Sequence, residues 1–268
     1  MNADANNAVY LVGVAAGDSL AEFDIQGLEA GQRTRTAPVG AGDLRAVVIE
    51  MSASMFEGEE AEARLKDVNW LGPRAARHEA IVRAARARTP LMPAGFGSVF
   101  SSTQALREVI EQHADAIGDY LKRTEGCDEW SLKVRTSRAD AIERAKRAIA
   151  DEQARSAGAG MAYLISRRLE SEAEDYAEDR ALEHVEQLLD GLGTTIEDAA
   201  ERRIVSADAD PDEWLIAHVA LLVSKDKQSA FDETLDALSG TLELEGLRLE
   251  LSGPWAPYSF CPSLGDAS

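Results

Sequence analysis

The sequence predicts an α+β fold in two domains, the second a modified ferredoxin-like (βαββαβ) fold carrying a long helical insertion. Three observations predict it. Short β-branched runs alternate with stretches of helical period along a 268-residue chain, long enough for two ordinary domains. The rhythm of the elements changes near residue 125. Beyond that point they read strand, helix, strand, strand, helix, strand, which is the ferredoxin-like order. The expected division is 1–125 for the first domain, 126–252 for the second, and 253–268 for an aromatic, proline-rich tail docking on the body.

In the first domain, AVYLVGVA (8–15) is a short apolar run that reads as a buried strand. The stretch 17–42 holds five glycines and a proline and reads as loop; DLRAVVIEM (43–51) reads as a second strand. A helix follows in DVNWLGPRAARHEAIVRAARART, with Pro73 in its first turn and Leu71, Ala75, Ile81, Val82 and Ala85 on one side. PLMPAGFGSVF (90–100) packs two prolines and two glycines into eleven residues and excludes an ordinary helix. One helix is expected from Thr103 to Arg123, with Leu106, Val109, Ile110, His113, Ile117, Tyr120 and Leu121 as its apolar face.

In the second domain, EWSLKVRT (129–136) alternates Trp130, Leu132 and Val134 on one face, as a half-buried strand does. A long helical region runs from Ala139 to Leu192, broken at AGAG (157–160). RRIVS (202–206) is a weak strand and WLIAHVALLVS (214–224) the strongest in the chain. A helix over 228–238 and the alternating LRLELS (247–252) complete the series.

Composition narrows function. With 45% hydrophobic and 28% charged residues the chain folds rather than staying disordered. Its net charge of −20 repels phosphate backbones and anionic lipid, so neither nucleic acid nor a membrane surface is an expected partner. Residues 151–213 carry 18 acidic and 6 basic side chains, −12 of that total, and read as a solvated helical face. The N-terminus lacks the basic start and apolar core of a signal peptide, so a cytoplasmic location is expected. Cys127 and Cys261 form no CxxC, and His78, His113, His184 and His218 have no ligand spacing, so no metal or cofactor is expected. His113 and His218 read as packed, hydrogen-bonded histidines. No GxSxG elbow appears, and GFGSVF lacks the third glycine and the lysine of a phosphate loop. No catalytic residue is expected. Arg74, Arg77, Arg83, Arg86 and Arg88 flank both sides of their helix's apolar stripe, which suits arginines that wrap a core or meet the chain's own acidic helix.

Two stretches exceed generic folding needs: the loop with Phe96, Gly97 and Phe100, and the closing LSGPWAPYSFCPS with Trp255, Tyr258 and Phe260. Glycine opens otherwise closed backbone conformations and proline fixes entry and exit angles, so rings are held in place without secondary structure. The rings then either staple the fold internally or face a partner.

The sequence resembles the gas vesicle protein F/L family (GvpF/GvpL). The likeness runs colinearly through VYLVGV, GDLRAVV, NWLGPRAARHEAIV with Trp70 and His78, LMPAGFGSVF, EWSLKV, the GMAYL segment (160–164) with Tyr163, and GPWAPYSF. The chain departs where Gly95 and Met161 stand in place of family-typical arginines, and where Ala256 interrupts PWPPYSF. The lost arginines put any shared anion or carboxylate contact at those loops in question. The resemblance implies a non-enzymatic accessory protein of gas vesicle assembly, contacting the hydrophobic shell protein and other vesicle proteins, in the cytoplasm or as a minor component of the vesicle wall. Phe96, Gly97, Phe100, Tyr163, Trp255, Tyr258 and Phe260 are expected either to form the surface that meets such a partner or to brace it. The other reading is a ferredoxin-like ligand-binding module or enzyme using the 88–100 loop.

Overall fold

The computed structural model describes residues 7–40, 43–56, 58–156, 162–203 and 212–264. It is a mixed α+β protein with two sheets and, among the described residues, seven α-helices. The chain divides into two compact units, Met1–Cys127 with Trp255–Ser268, and Asp128–Pro254.

The first unit is organised on β1 (Asn7–Ala16), whose residues from Ala8 to Ala15 are nearly all buried. A strand covered on both faces needs no polar alternation, which is why its sequence reads as one apolar run. β2 (Thr34–Pro38) and β3 (Leu44–Ser52) extend the sheet on one side, and β4 (Leu91–Pro93) pairs on the other in the order β2-β3-β1-β4. β5 (Val99–Phe100) also pairs with β1, matching Val9 with Phe100. The 90–100 segment is therefore two short strands along β1, with Ala94–Ser98 bulging out between them.

Three elements differ from expectation. β2 lies inside the glycine-rich stretch read as loop. It is an edge strand with antiparallel register from Thr34↔Ile49 to Pro38↔Arg45, and an edge tolerates a proline and needs no apolar alternation. A charged helix, α1 (Glu59–Lys66), precedes the expected one and is supported by a Glu60–Arg64 pair at 2.7 Å. α2 (Val68–Arg86) starts where Asp67 caps the amide of Asn69 at 3.0 Å, so Pro73 sits inside the helix rather than in its first turn.

The single helix expected over 103–123 is two, α3 (Thr103–Gln112) and α4 (Ala114–Arg123). The imidazole Nδ1–H of His113 donates to the Val109 carbonyl at 2.9 Å, taking the acceptor its own amide would use in a continuous helix. His113 is thus the hydrogen-bonded histidine expected, and also the break.

In the second unit, β6 (Cys127–Ser137), α5 (Arg138–Ser156), α6 (Ala162–Leu192), β7 (Asp198–Glu201), β8 (Glu213–Ser224), α7 (Gln228–Leu244) and β9 (Leu247–Trp255) form a four-stranded sheet in the order β7-β8-β6-β9. Leu132 and Val134 pack with Val219, Leu221 and Val223 of β8 against α6 and α7. The acidic run is the outer face of α6, whose Ala173, Ala177, Ala181, Val185, Leu188 and Leu192 form the buried stripe. β7 precedes the expected 202–206. It is specified by pairing with β8, from Asp198↔Leu222 to Glu201↔Val219, and its own DAAE has no strand propensity. Residues 204–206 lie outside the described ones. His218 pairs with Ser131 Oγ at 2.8 Å, as a packed strand histidine does.

Candidate functional site

The first unit gathers its aromatic side chains around the Ala94–Ser98 bulge. Tyr10 enters from β1, Trp70 and His78 from α2, Phe56 from the turn after β3, and Phe96 from the bulge. Ring centroids lie 5.6 Å apart for Tyr10–Phe56 and Phe56–Phe96, and 6.0 Å for Phe56–Trp70 and His78–Phe96. Most of these pairs are edge-on, the arrangement that places a positive ring edge on a negative ring face.

A chain of hydrogen bonds sets this cluster. His78 Nε2 lies 3.0 Å from the Ala94 carbonyl, which only accepts, so that nitrogen carries the proton. Nδ1 is then an acceptor, and the Tyr10 hydroxyl donates to it at 2.8 Å. The Gly97 amide donates in turn to the Tyr10 oxygen at 3.4 Å. Gly97 has φ 92, in the left-handed region, and this turns its N–H inward onto Tyr10. Burial pushes His78 down to about 4, so the imidazole is neutral and in one tautomer. Burial also raises the Tyr10 phenol above its ordinary range.

The tail is tied to this unit residue by residue. The Trp255 carbonyl accepts from Arg86 Nη1 at 3.4 Å, and Arg86 Nη2 also reaches the Cys127 carbonyl at 2.6 Å. Ala256 is buried in the core with Tyr10, Ile81 and Val82. The buried Tyr120 hydroxyl donates to the Pro257 carbonyl at 3.0 Å, and Arg123 holds the Phe260 carbonyl at 2.9 Å. Tyr258 packs on the same core and donates to Glu79 Oε2 at 3.0 Å; burial and that carboxylate both raise its phenol.

The predicted residues consequently have unequal settings. Phe100 and Phe260 are buried, whereas Phe96 and Tyr258 are half-buried on one core. Trp255 is 41% exposed, although the chain on both sides of it is bonded down. Tyr163 falls in the first turn of α6, with its side chain outside the described residues, as is Met161. A Cβ added at Gly95 would meet nothing nearer than Ser98 Oγ at 4.0 Å. Beside the bulge, a cavity of about 310 Å³ is lined by Met92, Pro93, Phe100, Cys261 and Leu264 among others.

Sequence reasoning did not place Tyr10, Phe56 and Glu79 in this cluster. Tyr10 is a polar-tipped residue inside an apolar strand, a signal that its hydroxyl has a buried partner. Phe56 and Glu79 carry no such mark. Three of the five arginines singled out in the sequence clamp the glycine-rich stretch. Arg74 pairs with Glu29 and lies 4.3 Å over Trp70, Arg77 bonds the Gln26 and Gly27 carbonyls, and Arg88 covers Phe23 at 5.0 Å.

Among the described residues, no group of three or more His, Cys, Asp or Glu is placed to hold a metal ion, and no helix is long and apolar enough to cross a membrane. The architecture is that of solved gas vesicle proteins. The crystal structure of gas vesicle protein GvpF from Anabaena sp. PCC7120 superposes with a TM-score of 0.71 over 96% of this chain and 99% of that one, at 16% identity. GvpF from Microcystis aeruginosa gives 0.68 over the same shares, also at 16% identity. In sequence, the chain is 30% identical to gas vesicle protein L of Streptomyces sp. (strain CB03234) over 224 residues, covering 82% of this chain and 80% of that protein. It is 25% identical to gas vesicle protein L1 of Halobacterium salinarum over 232 residues, 81% and 78% of the two chains. The family model for gas vesicle synthesis protein GvpL/GvpF matches residues 8–262, and the chain belongs to that family.

Proposed function

We propose that the chain is a non-enzymatic accessory protein of gas vesicle assembly that binds the hydrophobic shell protein, together with other vesicle proteins, while the vesicle is built. Family membership supports the assembly role. The observation that carries shell binding is Trp255, a large ring left 41% exposed on a tail whose neighbouring carbonyls are held by Arg86, Tyr120 and Arg123. A rigid aromatic anchor loses little entropy on binding, which is how apolar partners are recognised strongly. The neighbouring cavity, walled by Met92, Pro93, Phe100 and Leu264, suits an aliphatic side chain of such a partner. Ser98 Oγ at its edge is already engaged by the Gly95 carbonyl, which weighs against a polar ligand or a reaction there. We read the second unit as a modified ferredoxin-like domain from its element order and its β7-β8-β6-β9 sheet, with α5 and α6 together as the enlarged first crossover.

Co-expression with the shell protein tests the reading, scored by how much shell protein stays soluble and co-purifies. Retention of a defined complex is expected; equal precipitation with and without this chain overturns shell binding. Trp255→Ala should fold normally and lose the complex. Loss of folding would make the ring a staple instead, and survival of both would remove its role. Vesicles floated and washed, then probed for this chain, read whether it stays as a minor wall component.

A further inference from the structure

A second cavity, of about 330 Å³, lies in the second unit between α5, α6 and the start of β9. Its polar wall carries two arginines and one carboxylate in a chain of net charge −20. Arg144 and Arg180 line it, with Thr136, Tyr176, His184 and Glu245. Arg144 is set by Thr136 Oγ1, to which its Nη2 donates at 3.3 Å, while that hydroxyl donates to the Gly246 carbonyl at 2.9 Å. Gly246 leaves the space the guanidinium occupies, since a Cβ there would collide with it. Among the described residues Arg144 has no acidic partner, whereas Arg180 is shared with Glu183 at 2.7 Å.

His184 is the independent observation. Its residue is only 8% exposed, and its Nε2 is buried without a hydrogen-bond partner. Glu245 Oε2 is 3.6 Å away, beyond hydrogen-bond reach. A buried ring nitrogen without a partner is costly, and one that lines a cavity marks a place for a polar atom of a ligand. The remaining wall is apolar, made by Ala141, Ala145, Ala177, Ala181 and Leu247.

We propose that this cavity binds a small carboxylic acid with an apolar body, its carboxylate on the Arg144 guanidinium and within reach of His184. A guanidinium fork matches a carboxylate's two oxygens, the alanines and Leu247 suit an apolar body, and the Glu245 carboxylate in the wall opposes the second charge of a phosphate. The volume falls at the small end of ligand sites, which favours a compact monocarboxylate. The inference stands apart from shell binding, because it concerns the other unit.

The test uses the full chain with benzoate and hexanoate as probes, and benzamide and inorganic phosphate as controls. With four histidines in the chain, the ring resonances are separable, and both carboxylates should shift the His184 signals saturably while leaving those of His78 in place. Benzamide and phosphate should not. Arg144→Met should weaken binding by roughly tenfold or more, the scale of a charge-assisted hydrogen bond. The wild-type titration needs no variant, so a misfolded Arg144→Met leaves the proposal testable. No saturable shift with either carboxylate overturns it, as does equal binding of phosphate or benzamide.

Discussion

His78 is neutral because every group around it asks for a neutral ring. The Ala94 carbonyl takes the proton on Nε2, the Tyr10 hydroxyl fills the lone pair on Nδ1, and burial opposes charge. The folded-state value of about 4 lies below the 6.5 of a free histidine, so the unfolded chain binds the extra proton first. This contribution to stability is fully present above pH 6.5, falls as the pH drops toward 4, and changes no further below it. The loss across that window is about 3 kcal/mol from this residue. Urea unfolding at pH 7.5 and pH 4.5 reads it. His78→Gln should flatten the dependence between those values, and an unchanged slope would show that the ring is not what the acid reaches.

At the scale of an element, the tail gives two neighbouring rings opposite jobs. Phe260 is 6% exposed, and Phe260→Ala should cost about 3 kcal/mol or more, the price of a buried cavity. Trp255 has an exposed ring and is held through its carbonyl, so Trp255→Ala should change stability by under about 1 kcal/mol. Equilibrium denaturation of the two variants separates them, and equal costs would mean that both rings brace the fold. The break between α3 and α4 shows the same logic, since one imidazole bonded to Val109 ends a helix that periodicity alone continues.

At the scale of the whole molecule, the aromatic cluster and most of the net charge belong to different units. The aromatic cluster and the tail lie in the first, while residues 151–213, with −12 of the net −20, lie in the second. A strong net charge of one sign favours solubility. The core cluster built on Tyr10, Ile81 and Val82 in the first unit and the one built on Leu132, Leu221 and Phe231 in the second share no residue. Phe231→Ala should therefore destabilise the second unit by roughly 3–5 kcal/mol while the His78 ring resonance stays at its native position. Simultaneous loss of that resonance would show a single cooperative unit.

What the sequence by itself determined was whatever a local pattern encodes. β1, β3, β6, β8 and β9, the apolar side of α2, the solvated acidic face of α6, the charge distribution and the two unusual aromatic stretches were all legible, because apolar period and proline–glycine spacing act over a few residues. The family likeness was legible from the colinear motifs. Tertiary structure alone decided the rest. β2 and β7 exist because a neighbouring strand offers its backbone, which TRTAP and DAAE do not announce. The bulge at Ala94–Ser98 exists because β4 and β5 both pair with β1. Which ring is core and which is exposed depended on where Arg86, Tyr120 and Arg123 grip the tail, and those partners lie more than a hundred residues away in sequence. Pairing and burial are long-range quantities, set by the folded neighbours of a residue and not by the residues beside it in the chain.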